Sequence, residues 1–257
     1  MRLLAAEVRK AATLPAVWVG FAVVLLGSVA LTLINAIDTH RTWDAGELDP
    51  HLLASPFNLA FSMTPLGTLG AVVMGVVAFS SEYTANNADA GGGRQVLTTL
   101  IAAPNRGRLF VAKAGTLVLL VVAMAAATMS VTVGIAHAIL GWAEPVAFGD
   151  AVLRCLAATL YWALSGLIAF AFTVLLRNGV VPLIVLIVNS SVVSVSFLLT
   201  KLTPLAYWLP DLAGRRLFVG VRTSEGGLGA LPGGLVMTGW AVACCLGAAV
   251  LFARRDA

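Results

Sequence analysis

Long apolar runs separated by short polar stretches set the rhythm of this chain. The runs lie at 16–37, 61–79, 109–140, 151–176, 180–200 and 232–252. Each is close to or beyond the roughly 20 apolar residues that cross a bilayer. The pattern predicts an all-α polytopic membrane protein, a single transmembrane domain over 1–257 with six transmembrane helices. The run 109–140 is long for one crossing, so it must tilt or project from the bilayer. The run 61–79 carries Gly67, Gly70 and Gly75, with Ala71 and Gly75 at small-xxx-small spacing that lets another helix come close.

Residues 1–14 predict an amphipathic helix ahead of the first span. Leu3, Leu4, Val8 and Ala11 fall on one side, and Arg2, Arg9, Lys10 and Thr13 on another. Glu7 intrudes on the apolar edge. A basic helix of this kind can lie in the membrane interface. A secretory signal peptide is the competing reading, but the run 16–37 is too long for its apolar region, so an uncleaved first span is expected.

The stretches between runs differ in character. Residues 38–58 are polar, with Asp38, Asp44, Glu47 and Asp49. Arg177-Asn178-Gly179 predicts a tight turn. Residues 201–231 mix Pro204, Tyr207, Trp208 and Pro210 with Lys201, Arg215, Arg216 and Arg222. This loop is too mixed to span and too apolar to float free, which predicts short helices in or dipping into the outer interface. The longest polar passage, Ser80 to Lys113, opens on Glu82 and carries Arg94, Arg106, Arg108 and Lys113 around the apolar patch Val96 to Ile101.

Composition sharpens the class. The chain is 60% hydrophobic and 11% charged, with a mean hydropathy of +0.96, too little charge to coat a soluble domain of this size. The net charge of +4 is explained by basic loop ends on the cytoplasmic side without invoking nucleic acid. With six crossings, ten of the sixteen Lys and Arg residues fall with the termini, the central loop and the Arg177 turn, and eight of the twelve acids fall opposite. The positive-inside rule then places both termini and the loop 80–108 in the cytoplasm, with the loop 201–231 outside. The basic residues of 201–231 dissent from that assignment.

Several chemistries are missing. Gly91-Gly92-Gly93 lacks the Lys of a phosphate-binding loop and reads as a flexible kink. His40, His51 and His137 have no spaced ligand partners, so no metal site is expected. Cys155, Cys244 and Cys245 lie in apolar stretches and read as small packing residues. No catalytic cluster and no mid-span charge is visible, which argues against an enzyme and against an ion-driven carrier. The neutral polar group Asn189, Ser190, Ser191, Ser194 and Ser196 leaves two readings open: hydrogen bonds between helices, or a wet path for an amphipathic substrate.

The central passage resembles the cytoplasmic loop of ABC-2 type transporter permeases. The residues that carry the likeness are Glu82-Tyr83, Arg94-Gln95-Val96-Leu97-Thr98, Ala103-Pro104-Asn105-Arg106-Gly107-Arg108-Leu109-Phe110 and Ala112-Lys113. Glu7-Val8-Arg9-Lys10 followed by Trp18 is similar to the family's N-terminal elbow helix. The stretch Asn86 to Gly93 departs from the family pattern, which leaves the length of the coupling helix open. The resemblance implies a permease with no nucleotide site of its own. Two such chains would pair with separate ATPase subunits that bind ATP and Mg. Glu82, Tyr83, Arg94, Val96, Leu97, Leu100, Ile101, Pro104, Arg106 and Arg108 would form the coupling surface, with Glu7, Arg9 and Lys10 in the elbow. Val96, Leu97, Leu100 and Ile101 could fill a groove on a partner. Arg106, Arg108 and Lys113 could meet acids there or lipid phosphates. The family's path runs beside spans two and five, which implies Thr68, Met74, Asn189, Ser190 and Ser194 as path residues. The cargo implied is an amphipathic antibiotic, peptide or lipid-like molecule. A non-transporting sensor or immunity subunit that works through its outer loop is the alternative.

Overall fold

A computed structural model describes residues 2–46, 56–61, 64–83, 99, 101, 105–141, 147–190, 195–218 and 228–254. Among these residues the protein is helical and has no strand. The helices are α1 (Arg2–Ala12), α2 (Pro15–Asp44), α3 (Pro56–Phe61), α4 (Thr64–Ser80), α5 (Arg106–Ile139), α6 (Phe148–Leu176), α7 (Val180–Ser190), α8 (Val195–Leu199), α9 (Pro210–Arg215) and α10 (Ala230–Arg254). Short 3₁₀ turns occupy Ser81–Tyr83 and Pro204–Trp208.

Five segments are long and apolar enough to cross a membrane: Pro15–Asp44, Leu59–Tyr83, Arg106–Ile139, Phe148–Leu176 and Ala230–Arg254. The fifth run, 180–200, behaves differently. Its described parts are α7, of 11 residues, and α8, of 5. Helix α7 rises only about 16 Å, roughly half a hydrocarbon core. Residues 191–194, with the expected path residue Ser194, lie outside the described residues.

The helices also overrun their expected ends. Helix α2 continues to Asp44, through a stretch expected to be loop. Polar residues do not break a helix by themselves. The Thr39 and Thr42 hydroxyls donate to the Asn35 and Asp38 carbonyls, and His40 lies 3.5 Å from Asp44 one turn on. The chain turns only at Gly46, whose φ of 70° suits glycine. At the other long polar boundary the Asn105 side chain accepts from the Arg108 amide at 2.9 Å and caps α5. The tight turn after α6 is present: Arg177 takes a left-handed φ of 51°, and Asn178 Oδ1 accepts from the Val180 amide to start α7.

Helix α4 is the axis of the bundle. It packs most extensively on α6 and also touches α2, α5 and α7. A Cβ on Gly75 would sit 2.2 Å from the Gly166 carbonyl oxygen, and one on Gly166 would sit 2.9 Å from that of Ala71. Gly67 opens a slot for the Trp162 ring, whose Nε1 donates to the Thr64 carbonyl at 3.1 Å. The small-residue spacing expected to admit a close helix does so here, within the chain. Around this centre Phe79, Phe170, Met74, Leu117 and Met124 are fully enclosed.

The outside of the bundle is apolar. Large hydrophobic side chains stand exposed along α2, α5, α6, α7 and α10, among them Trp18, Leu26, Leu119, Leu153, Ile184 and Leu246. Water would penalise a surface of this extent, whereas hydrocarbon would not.

The glycine contacts set a stability prediction. Gly75→Val pushes two backbones apart and should destabilise the detergent-solubilised protein by about 1–3 kcal/mol or more. Gly134→Ala has nothing within 4 Å to meet and should shift the melting temperature little. Equal shifts for the two variants in a thermal melt would refute the close α4–α6 crossing.

Candidate coupling site at the end of the α4–α5 hairpin

Four charged side chains meet where α1 crosses the ends of α4 and α5. Glu7 and Lys10 stand on one edge of α1, three residues apart. Glu82 stands in the 3₁₀ turn that follows α4. Lys113 stands two turns into α5. Lys113 Nζ donates to Glu82 Oε1 at 2.7 Å and to Glu7 Oε2 at 2.8 Å. Lys10 Nζ donates to the same Glu82 oxygen. The other oxygen, Oε2, accepts from the Thr99 hydroxyl at 2.8 Å. Two carboxylates and two ammonium groups thus form an alternating chain, Lys10–Glu82–Lys113–Glu7, of zero net charge.

Burial gives the cluster its weight. Glu82 is fully enclosed, Lys113 is 3% exposed and Glu7 is 7% exposed. Isolated charges at this depth would each cost several kcal/mol of desolvation, so each needs its partner. The two ammonium groups on Glu82 offset the cost of burying its charge, and Thr99 uses its remaining oxygen. A small cavity of about 20 Å³ borders the cluster, lined by Glu7, Lys10, Met74, Ser81, Lys113 and Thr116 among others.

Local sequence explains how the elements arrive. Leu14 is extended and Pro15 opens α2, so the chain breaks between α1 and α2 and lets α1 lie across the bundle. The bend is pinned by Trp18 Nε1, which donates to the Ala12 carbonyl at 2.7 Å, and by the Thr13 hydroxyl on the Lys10 carbonyl. Beneath the charges lies a set of rings. Phe79 meets Tyr83, Phe170 and Phe252 edge-on at 5.3–5.6 Å, and Phe110 meets Phe170 at 5.1 Å. Arg106 lies 5.9 Å from the centre of the Phe252 ring, and its Nη1 donates to the Phe252 carbonyl at 3.2 Å. The end of α10 is thereby tied to the start of α5.

The expected site residues divide into three groups. Glu7, Lys10 and Glu82 come together at this node, while Tyr83 and Arg106 join the ring set beneath it through Phe79 and Phe252. Arg9, Ile101 and Arg108 face outward, and Ile101 is 84% exposed. Arg94, Val96, Leu97, Leu100 and Pro104 lie outside the described residues, as does the run Gly91 to Gly93. Among the implied path residues, Met74 is enclosed in the core. Thr68 is buried, with its hydroxyl on the Thr64 carbonyl at 3.1 Å. Asn189 Oδ1 accepts from the amide and hydroxyl of Ser196, which links α7 to α8. Ser190 lines a cavity with Thr68.

Two readings are corrected. Glu7 is not a flaw in an amphipathic helix, because its edge of α1 faces Lys113 rather than apolar surface. Lys113 is not a surface cation for lipid phosphates or partner acids, because Glu7 and Glu82 enclose it. The sequence carries one signal for this: an acid on an otherwise apolar helix edge demands a counter-charge. Thr99 carries no such signal. Among the described residues no group of three His, Cys, Asp or Glu side chains could hold a metal, and Cys155, Cys244 and Cys245 are free thiols.

This fold has the character of a transmembrane helical bundle, with a buried ionic node at one end. No protein-family model matches the chain, and no curated protein matches it.

The node predicts a coupling energy. Lys113→Met strands Glu7 and removes one of two cations from Glu82, and should cost about 3–5 kcal/mol. Adding Glu7→Gln should recover part of that loss, because the stranded carboxylate is gone. Thermal melts of the two single variants and the double variant in detergent measure the cycle, and strict additivity would refute the buried pairing.

Proposed function

We propose that this chain is the membrane subunit of an ATP-driven exporter of the ABC-2 permease type. The observation that carries the reading is the node itself. The N-terminal helix, the end of α4 and the start of α5 are joined by one set of buried charges, beside an outward-facing surface that bears Ile101 and Arg108. A force applied to that surface by a partner would be passed to α4, the axis of the bundle, through these ion pairs. The sequence resemblance of the same residues to the family's elbow and coupling loop supports the assignment.

In this reading the chain is no enzyme and binds no cofactor. A separate ATPase subunit holds ATP and Mg, and two permease chains, identical or related, form the transport unit. It sits in the bacterial cytoplasmic membrane with six crossings and both termini in the cytoplasm. The loop 80–108 acts as the coupling element and 201–231 as the outer embedded loop. The described part of that outer loop fits the role: α9 packs on α10, and Trp240 Nε1 donates to the Trp208 carbonyl at 2.9 Å. The cargo is an amphipathic antibiotic, peptide or lipid-like molecule, taken past Thr68, Asn189, Ser190 and Ser194. A second reading, a sensor or immunity subunit acting through the outer loop, draws support from a cavity beside α9.

Co-purification in detergent tests the proposal. The ATPase encoded beside this chain should come down with the wild type, and Leu97→Asp with Ile101→Asp should abolish the association while leaving the permease monodisperse. Failure of any nucleotide-binding protein to associate would sink the exporter reading. ATPase stimulation by substrate without flux into vesicles would select the sensor.

A further inference from the structure

At the end of α4 away from the charge node, about 24 Å along the helix axis, a cavity of about 240 Å³ opens between α4, α6, α7 and α9. Its walls are of two kinds. Phe61, Pro65 and Phe218 supply apolar surface. Thr64, Thr68, Tyr161 and Ser190 supply polar groups, and Arg215 supplies the one charge among the described lining residues. The positioning is built by the fold. Gly214 carries no side chain, and a Cβ there would strike Met237 at 2.1 Å and Tyr161 at 2.7 Å, so α9 can seat itself against α6 and α10. That seating brings Arg215, half-buried, toward the hydroxyl of Tyr161, which Thr68 also approaches.

Among the described lining residues the formal charge is one-sided. Among the described residues Arg215 forms no ion pair. Asp211, one turn earlier on α9, lies near Tyr161 but does not line the cavity. A half-buried guanidinium facing a partly apolar space favours an anion, with a planar fork suited to carboxylate or phosphate. The volume falls below the roughly 300–1,000 Å³ that encloses a drug-sized molecule. It accommodates a head and the start of a chain, with the remainder lying along the exposed apolar flanks of α6 and α7.

We propose that this cavity binds the acidic head of an amphiphile, with Arg215 as its counter-charge and Phe61 and Phe218 against the first part of its tail. The Tyr161 and Ser190 hydroxyls donate to the head's remaining oxygens. The site does not depend on the exporter reading and stands whether or not an ATPase associates.

Octyl phosphate is the probe, with octanol as its uncharged comparator, titrated calorimetrically into the full chain in phosphatidylcholine nanodiscs against empty nanodiscs. The wild type should bind octyl phosphate above the empty-disc background. Arg215→Gln should weaken that binding at least about tenfold, since a charge-assisted contact is lost, and leave octanol unchanged. Ser190→Phe, which fills the cavity from α7, should weaken both probes. Octyl phosphate binding that is equal in wild type and Arg215→Gln, or no greater than in empty discs, overturns the proposal. If Arg215→Gln does not yield monodisperse protein, Ser190→Phe decides alone, and unchanged binding overturns it. Repeating the wild-type and Arg215→Gln titrations in phosphatidylglycerol nanodiscs identifies the source of the head. A difference between the two proteins that vanishes there assigns the cavity to a lipid headgroup, and one that persists assigns it to a soluble amphiphile. Either result supports the anion site.

Discussion

Two ammonium groups share one enclosed carboxylate, and the ends of three helices are held by that arrangement. Glu82 could not be buried alone, nor could Lys113, because a lone charge at that depth costs several kcal/mol. The condition that makes each tolerable is the presence of the others at hydrogen-bonding distance. This is a geometric demand on the whole end of the bundle. Helix α1 must lie across α5, the 3₁₀ turn after α4 must point Glu82 inward, and α5 must begin early enough to place Lys113 two turns deep. Buried ion pairs of this sort are weak sources of net stability compared with well-packed apolar groups, but they are unforgiving of misplacement. Their main contribution here is to fix one relative arrangement.

The rest of the bundle is consistent with that anchor. Below the charges, the Phe79, Phe110, Phe170 and Phe252 rings join α4, α5, α6 and α10 through edge and tilted contacts. Further along, Gly75, Gly166 and Gly67 let α4 and α6 meet at backbone distance. In a bilayer there is little hydrophobic gain from bringing helices together, so close packing and polar pairs must supply the association. Both devices are present on α4, the charges at one end and the glycines along its length. Among the described residues the opposite end holds a cavity of about 240 Å³ between α4, α6, α7 and α9, against about 20 Å³ beside the charges.

The candidate site is partly legible in the sequence. Glu82 and Lys10 stand out there as charges at the edge of apolar runs, and they do pair, while Arg106, also legible as a charge, meets Phe252 in the ring set beneath them. Glu7 is visible as an anomaly in a helical pattern and Lys113 as the last of a basic series, and both fall in the stretches that carry the family resemblance. Their pairing spans 106 residues of chain and leaves no local trace. Nothing local selects Thr99 over Thr98, since only the fold decides which hydroxyl reaches Glu82. The cavity beside Arg215 is hidden for a similar reason. Its lining comes from α4, α6, α7 and α9, which are separated along the chain, and the resemblance to a known family points to a path rather than to a pocket with a counter-charge.

What the sequence determined by itself was the helical class, the transmembrane character of most long runs and the turn at Arg177. These follow from run length, hydropathy and local turn chemistry, which act over a few residues and need no partner. The helix ends were less secure. Asp38 to Asp44 continue α2 because nothing in them breaks a helix before Gly46, although their polarity suggests a loop. In the run 180–200 the described residues form two short helices, α7 and α8, and the stretch between them lies outside the described residues. Tertiary structure alone decided which charges are buried together and where a single arginine faces apolar space. Those outcomes depend on side chains from distant segments reaching the same point, and only packing sets that distance.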